Sequence, residues 1–166
     1  MGINLNFNDT LNAVLMINAF VMYLLHFITL NIQGHKSTIA GTRMKEDDFM
    51  KKYAKEGTGT ELDKEIEQRW RRIVSNSLET VPLAFVVFAI ATTVSLYSES
   101  RIGLIVVINV FVFMRILYVI CYVNKLQPWR SIVWAISISC ILVAAIIMVV
   151  DTFKTFHALG NEIYDP

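Results

Sequence analysis

Hydrophobic residues along this chain are grouped into four long runs that polar segments separate. Each run is near or above the ~20 residues that an α-helix needs to cross ~30 Å of hydrocarbon. The ~10-residue alternation of a membrane β-barrel is absent, and a spanning helix satisfies its backbone hydrogen bonds internally. The pattern therefore predicts an all-α integral membrane four-helix bundle, with spans at about 11–32, 73–97, 102–124 and 131–150.

The polar segment 33–72 indicates how the chain is oriented. It carries ten Lys or Arg residues, and the short connection 124–130 adds two more, whereas the opposite side has Arg101 and Lys154. Since basic residues concentrate in cytosolic loops, we expect segment 33–72 in the cytosol and both chain ends on the other side. An endoplasmic reticulum, mitochondrial or bacterial inner membrane fits this asymmetry. Residues 61–72, ELDKEIEQRWRR, predict a polar helix that runs into the second span.

Composition agrees with a membrane protein. Hydrophobic residues make up 55% of the 166 residues, and the mean hydropathy is +0.51, too apolar for a compact soluble core covered by polar surface. The net charge of +1 comes from mixed acidic and basic residues, which does not fit a nucleic-acid-binding surface. Because no repeat or linker divides the chain, we expect one domain over 1–166. Cys121 and Cys140 lie in predicted spans as small apolar residues, and no metal site is expected.

Several polar residues fall inside the predicted spans at helical spacing. Arg72, Asn76 and Glu79 follow an i, i+4, i+7 pattern in and before the second span. The third span carries a second stripe of the same length, formed by Arg115, Tyr118 and Tyr122. Because these spans run in opposite directions, both stripes lie near the cytosolic boundary, where Arg130 and Ser131 begin the fourth span.

Such groups are costly in lipid, so the pattern predicts a shared polar site between helices. A structural alternative is that Glu79 and Arg115 form a buried ion pair that fixes helix register, with Asn76 bonding between helices.

Three segments resemble the MAPEG family, the membrane-associated proteins of eicosanoid and glutathione metabolism. RWRRIVSNSLETVP (69–82) is similar to the family's second-helix motif, and RILYVICY (115–122) with PWRS (128–131) to its third and fourth helices. The length of the first loop resembles the branch of microsomal glutathione transferases and prostaglandin E synthases. The sequence departs from the usual motif at Val74 and Thr80.

The resemblance implies a homotrimer that binds glutathione between neighbouring subunits. The glutathione contacts that it implies are Lys36, Arg72, Asn76, Glu79, Arg115, Tyr118 and Tyr122. The partners would be glutathione, membrane lipids and a lipophilic electrophile or lipid hydroperoxide, with no nucleic acid. Cations for two carboxylates, an acidic group for the amine and donors near the sulfur are what glutathione requires.

Arg130 and Ser131 are the predicted catalytic residues. A free thiol with a pKa of ~8.5 is only a few per cent thiolate at neutral pH, and a nearby guanidinium favours the anion. Ser131 would donate a hydrogen bond to the same sulfur. Alternatively, Arg130 reaches lipid phosphates at the start of its helix.

The residues and the resemblance together imply a membrane-bound glutathione transferase or peroxidase, in which the thiolate attacks a lipophilic electrophile or a lipid hydroperoxide. They leave open a non-catalytic lipid-binding or accessory subunit of the same fold, and a glutathione-dependent eicosanoid synthase. A transporter is disfavoured, because the chain has no paired broken helices and no second repeat.

Overall fold

The computed structural model describes residues 7–43 and 59–164, and nearly all of these are helical. The helices are α1 (Phe7–Ala40), α2 (Glu61–Val94), α3 (Ser98–Val123) and α4 (Trp129–Tyr164). Each contains an apolar stretch that is long enough to cross a membrane. The predicted four-helix membrane bundle is confirmed, and the protein is an integral multi-pass membrane protein.

Three of the four helices extend well beyond the predicted spans. Helix α1 continues through residues 33–40, and α4 continues past residue 150 to Tyr164. Helix α2 begins at Glu61, so residues 61–72 form the predicted polar helix, and it ends at Val94, before the predicted limit of 97. Its 34 residues span ~51 Å at 1.5 Å per residue, so its polar first turns project from the ~30 Å hydrocarbon layer. Residues 44–58 of the predicted loop lie outside the described part of the chain.

Helix α2 starts with a capping box. The side-chain oxygen of Thr60 accepts a hydrogen bond from the Asp63 backbone N–H at 3.2 Å, and Asp63 Oδ2 accepts one from the Thr60 backbone N–H at 3.0 Å. These bonds satisfy donors that a helix start otherwise leaves unpaired. The helix can therefore begin in water, several turns before it reaches the membrane.

Helices α2 and α3 form the central pair of the bundle. Each contacts α1 on one side and α4 on the other, whereas α1 and α4 do not contact each other within the described residues. Phe88 packs edge-on against Phe111 with ring centroids 5.3 Å apart. The small buried residues Ala84, Ala91 and Ala144 allow close helix approach, as is common between membrane helices.

Polar contacts also join the helices away from this core. Between α1 and α3, Asn18 Nδ2 donates to Asn109 Oδ1 at 3.3 Å. At the end opposite the polar turns of α2, buried Asp151 of α4 accepts hydrogen bonds from Ser95 and Ser100, both at 2.8 Å. The two hydrogen bonds of Asp151 thus join the C-cap of α2 and the first turn of α3 to α4.

Candidate functional site

Polar side chains of three helices meet at the end of the bundle that carries the polar turns of α2 and the α3–α4 connection. The basic residues predict that this end faces the cytosol. Residues 72–76 of α2, 115–122 of α3 and 130–134 of α4 reach it from separate positions in the chain. Because α2 and α4 both begin here while α3 ends here, their stripes lie at similar depth.

Arg115 is the most deeply buried of these polar residues, with 1% of its surface exposed. Its Nη1 donates to Asn76 Oδ1 and its Nη2 to the Asn76 backbone oxygen, both at 3.0 Å. Its guanidinium carbon lies 5.3 Å from the ring centre of Tyr118 and 5.9 Å from that of Phe111. Since Arg115 uses the Asn76 carboxamide oxygen, the NH₂ group of Asn76 keeps donors for a ligand.

Glu79 does not pair with Arg115. Its Oε1 accepts a hydrogen bond from Ser75 at 3.1 Å, and its side chain is exposed. Within residues 7–43 and 59–164, the ion pairs do not include Glu79. The alternative of a buried Glu79–Arg115 pair is therefore wrong, and neutral acceptors and aromatic faces hold the Arg115 charge.

Arg130 lies over an aromatic ring at the start of α4. Its guanidinium carbon is 4.6 Å from the ring centre of Tyr122, and the Tyr122 ring is 5.4 Å from that of Tyr118. A guanidinium at this distance is attracted to the ring face by about 0.5–2 kcal/mol. The buried tyrosines of α3 thus support the Arg130 guanidinium at the edge of the polar site.

A hollow of about 390 Å³, called here the inner hollow, lies between α2, α3 and α4. This volume is within the ~300–1,000 Å³ of small-molecule sites. Its lining combines a cation, hydroxyl and amide donors and an apolar wall: Asn76, Tyr118, Tyr122, Arg130, Ser131, Trp134 and Ala135. Trp134 is 42% exposed, so the apolar wall continues onto the outer surface of the bundle.

A second hollow of about 190 Å³, the outer hollow, adjoins the first beside the polar turns of α2. The two hollows share Tyr122 and Arg130. The outer hollow is lined by three arginines, one carboxylate and two further groups: Glu65, Gln68, Arg69, Arg72, Tyr122 and Arg130. Arginine forks suit carboxylates, so the combined groove provides anion contacts at one end and an apolar wall at the other.

The structure brings most of the predicted site residues to these hollows, with three exceptions. Arg115 lies behind Asn76, and Glu79 lines neither hollow. Lys36 is near Asp63, where hydrogen bonds from Thr60 and, more weakly, the charge of Lys36 hold the pKa of the exposed Asp63 carboxyl below its ordinary value. Asp63 is 13 residues before Asn76, or ~20 Å along α2, so Lys36 is remote from the inner hollow of its own chain.

Five lining residues were not among the predicted site residues, and one of them is the apolar Ala135. Glu65, Gln68 and Arg69 continue the Arg72 stripe backward along α2 at helical spacing, and Trp134 lies one turn after Arg130. This periodicity is visible in the sequence. The predicted stripe begins at Arg72, next to the expected start of the second span at about residue 73.

Another hollow, of about 610 Å³, lies along the last turns of α1 and includes Phe27, His35 and Arg43. The Arg43 guanidinium donates to the Gly34 backbone oxygen at 3.2 Å. Among the described residues, this hollow is lined by one arginine, Arg43, and by no tyrosine, whereas the groove beside α4 joins arginines, tyrosines and a serine. The groove is therefore the stronger candidate site.

Comparison with known proteins assigns the chain to a family. The model of the MAPEG family matches residues 11–150, which include every residue that lines the two hollows. No curated protein and no solved structure gave a match. Since the family match spans more than four fifths of the chain and includes most of each helix, the chain belongs to the MAPEG family, which includes glutathione-dependent membrane enzymes.

Proposed function

We propose that the protein is a membrane-bound glutathione transferase, with peroxidase activity, that acts as a homotrimer. The observation that carries this proposal is the inner hollow, where Arg130 and Ser131 adjoin the two buried tyrosines of α3 and an apolar wall open to lipid. Family membership supports glutathione as the thiol substrate.

The hollows offer groups for each part of the tripeptide. Arg72 in the outer hollow suits a carboxylate, and the Asn76 NH₂ in the inner hollow can donate to a carboxylate or a peptide oxygen. Arg115 acts through Asn76, because its side chain is buried and donates two hydrogen bonds to that residue. Tyr118 and Tyr122 form the floor of the site.

Arg130 would activate the thiol. A guanidinium cannot be deprotonated in a protein, so its charge beside the sulfur favours the thiolate, and each unit by which the thiol pKa falls corresponds to ~1.4 kcal/mol. Ser131 lies in the same hollow and can donate a hydrogen bond to the sulfur. The Tyr122 ring fixes the guanidinium and reduces the side-chain entropy lost when the thiolate binds.

The reaction follows from the position of the apolar wall. A lipophilic electrophile can approach from the bilayer along Trp134 and Ala135. The thiolate sulfur then forms a bond to the electrophilic carbon, and the leaving group departs with its electron pair. With a lipid hydroperoxide, the thiolate attacks the terminal oxygen and releases an alkoxide that takes up a proton; a second glutathione converts the sulfenic acid to the disulfide and water.

Glu79 and Lys36 belong to the proposal as groups that reach the tripeptide in the assembled trimer. Both lie outside the hollows of one chain. The resemblance to the family implies binding between subunits, so side chains on the surface of one chain become part of a neighbouring site.

The test is a titration of the purified protein in detergent with glutathione, recording thiolate absorbance. We expect a saturable signal at neutral pH, and in Arg130→Gln we expect the bound thiol to return toward the few per cent thiolate of free glutathione. Lys154→Gln removes the same charge at the other end of α4 and serves as the matched control. Absence of any glutathione-dependent signal in the wild type would reject the function, whereas unchanged thiolate in Arg130→Gln would reject the role of Arg130.

A further inference from the structure

The outer hollow is bordered by an ion-pair network centred on one carboxylate oxygen. Arg69 Nη2 lies 2.6 Å from Glu65 Oε1, and Lys125 Nζ of the α3–α4 connection lies 3.6 Å from the same atom. Glu65 therefore links α2 to the connection that precedes α4. The network spans the side of the groove next to the predicted cytosol.

The two partners of the shorter pair are placed differently. Only 17% of the Arg69 side chain is exposed, against 58% of the Glu65 side chain. Arg69 thus lies in the wall of the outer hollow, while Glu65 lines the outer hollow from the solvent side. Its carboxylate can leave without disturbing the core of the bundle, because Glu65 is exposed and does not belong to the buried core.

The charges of the outer hollow favour an anion. Within the part of the chain that the structure describes, three guanidinium groups, from Arg69, Arg72 and Arg130, line it together with one carboxylate, that of Glu65. A short, charge-assisted bond such as that between Arg69 and Glu65 is what a carboxylate ligand would also form. Glu65 therefore occupies the position that the geometry prepares for a ligand carboxylate.

We propose that Glu65 is an internal occupant of the outer hollow, displaced from Arg69 when a carboxylate of the thiol substrate binds there. This inference rests on the proposed function, since it names the part of the substrate that enters this hollow. Exchange of one carboxylate for another leaves the charge balance around Arg69 and Lys125 nearly unchanged. A neutral ligand gains nothing by displacing Glu65, so the contact selects for carboxylates.

The direction of the change in glutathione affinity distinguishes competition by Glu65 from a structural role. If Glu65 competes with the ligand, its removal tightens binding, and if it supports the site, its removal weakens binding. Because couplings of exposed ion pairs are small, we expect Glu65→Gln to lower the Kd for glutathione by about two- to fivefold. The difference should shrink as salt rises, because salt screens exposed charges.

The chain provides a matched control one turn away. Glu61 lies on the same helix and pairs with Lys64 at 2.7 Å, but it lines neither hollow. Glu61→Gln changes the net charge in the same way as Glu65→Gln. It should leave glutathione affinity unchanged, which separates the local contact from a general rise in positive potential.

The experiment is isothermal titration of the full-length protein in detergent, at low salt, with glutathione and with glutathione esterified at both carboxylates. We expect tighter glutathione binding in Glu65→Gln alone, no gain with the diester, and loss of the gain when Arg69→Gln is added, as a coupled pair requires. Equal or weaker glutathione binding in Glu65→Gln, beside a wild type that binds, overturns the competition by Glu65 and leaves the proposed function standing. A wild type that binds no glutathione overturns both.

Discussion

The contact between Arg115 and Asn76 can be tested by removing its neutral partner. Asn76→Ala takes away the carboxamide oxygen that accepts from Arg115 Nη1 at 3.0 Å and leaves the backbone oxygen that accepts from Nη2. Because Arg115 is 1% exposed, water cannot easily replace the lost acceptor. We expect Asn76→Ala to destabilise the folded protein.

The magnitude follows from the type of bond. A hydrogen bond to a charged group contributes about 1.5–3 kcal/mol, so the loss of one such bond predicts about 2 kcal/mol, or roughly a thirtyfold change in the folding equilibrium. Glu79→Gln should change stability by less than about 0.5 kcal/mol, since Glu79 is exposed and bonds to Ser75. The double variant Asn76→Ala, Arg115→Met should recover part of the loss, because methionine removes the buried charge.

The assay is reversible unfolding of the purified protein in mixed micelles with increasing denaturing detergent, followed by helical circular dichroism. Additive effects of the two substitutions would refute the coupling, because contacting residues deviate from additivity. A loss in Glu79→Gln as large as that in Asn76→Ala would refute the placement of Glu79 and favour the ion pair with Arg115.

Three further predictions concern other parts of the structure. Tyr122→Phe should keep kcat/KM for a lipophilic aryl halide within about twofold, whereas Tyr122→Leu, which removes the ring under Arg130, should lower it by about two- to thirtyfold; equal effects of the two changes would argue against the ring contact. Asp151→Leu leaves two serine hydroxyls without their acceptor and should destabilise the protein by about 1–3 kcal/mol in the same unfolding assay, with a smaller loss in Asp151→Asn; wild-type stability in Asp151→Leu would contradict this role. A cysteine at Lys64 should react with a membrane-impermeant maleimide from the cytosolic side and one at Lys154 from the other side, above a low background because both native cysteines are buried; the reverse pattern would contradict the predicted orientation.

The predicted meeting of the second and third spans depended on local properties of the chain. The spacing of Arg115, Tyr118 and Tyr122 places them on one helical face, and all three are buried in the structure. The same spacing argument applied to Glu65, Gln68 and Arg69 would have extended the site outward along α2. Helical periodicity alone therefore indicates Glu65, Gln68 and Arg69 as site residues, in addition to those that were predicted.

The hydrogen-bond partner of Arg115 could not be predicted from helical spacing. Asn76 and Glu79 are three residues apart on α2, so both lie within reach of the same part of a neighbouring helix. Opposite charge favoured Glu79, but the rotation of α2 against α3 places Asn76 at the guanidinium and Glu79 at the surface. A change of helix rotation by less than one residue step would alter this choice, and such a rotation is set by packing of side chains such as Phe88 and Phe111.

The amino-acid sequence by itself determined the four membrane helices and the polar helix 61–72, because apolar length and backbone hydrogen bonding in lipid leave few other solutions. It also determined that arginine, tyrosine and serine side chains gather at one end of the bundle, since their spacing matches the helical repeat. Only the tertiary structure decided that Arg115 binds Asn76, that Arg130 lies over Tyr122 and that Glu65 borders a second hollow. These contacts depend on the relative rotation and depth of separate helices, which packing fixes and local sequence does not encode.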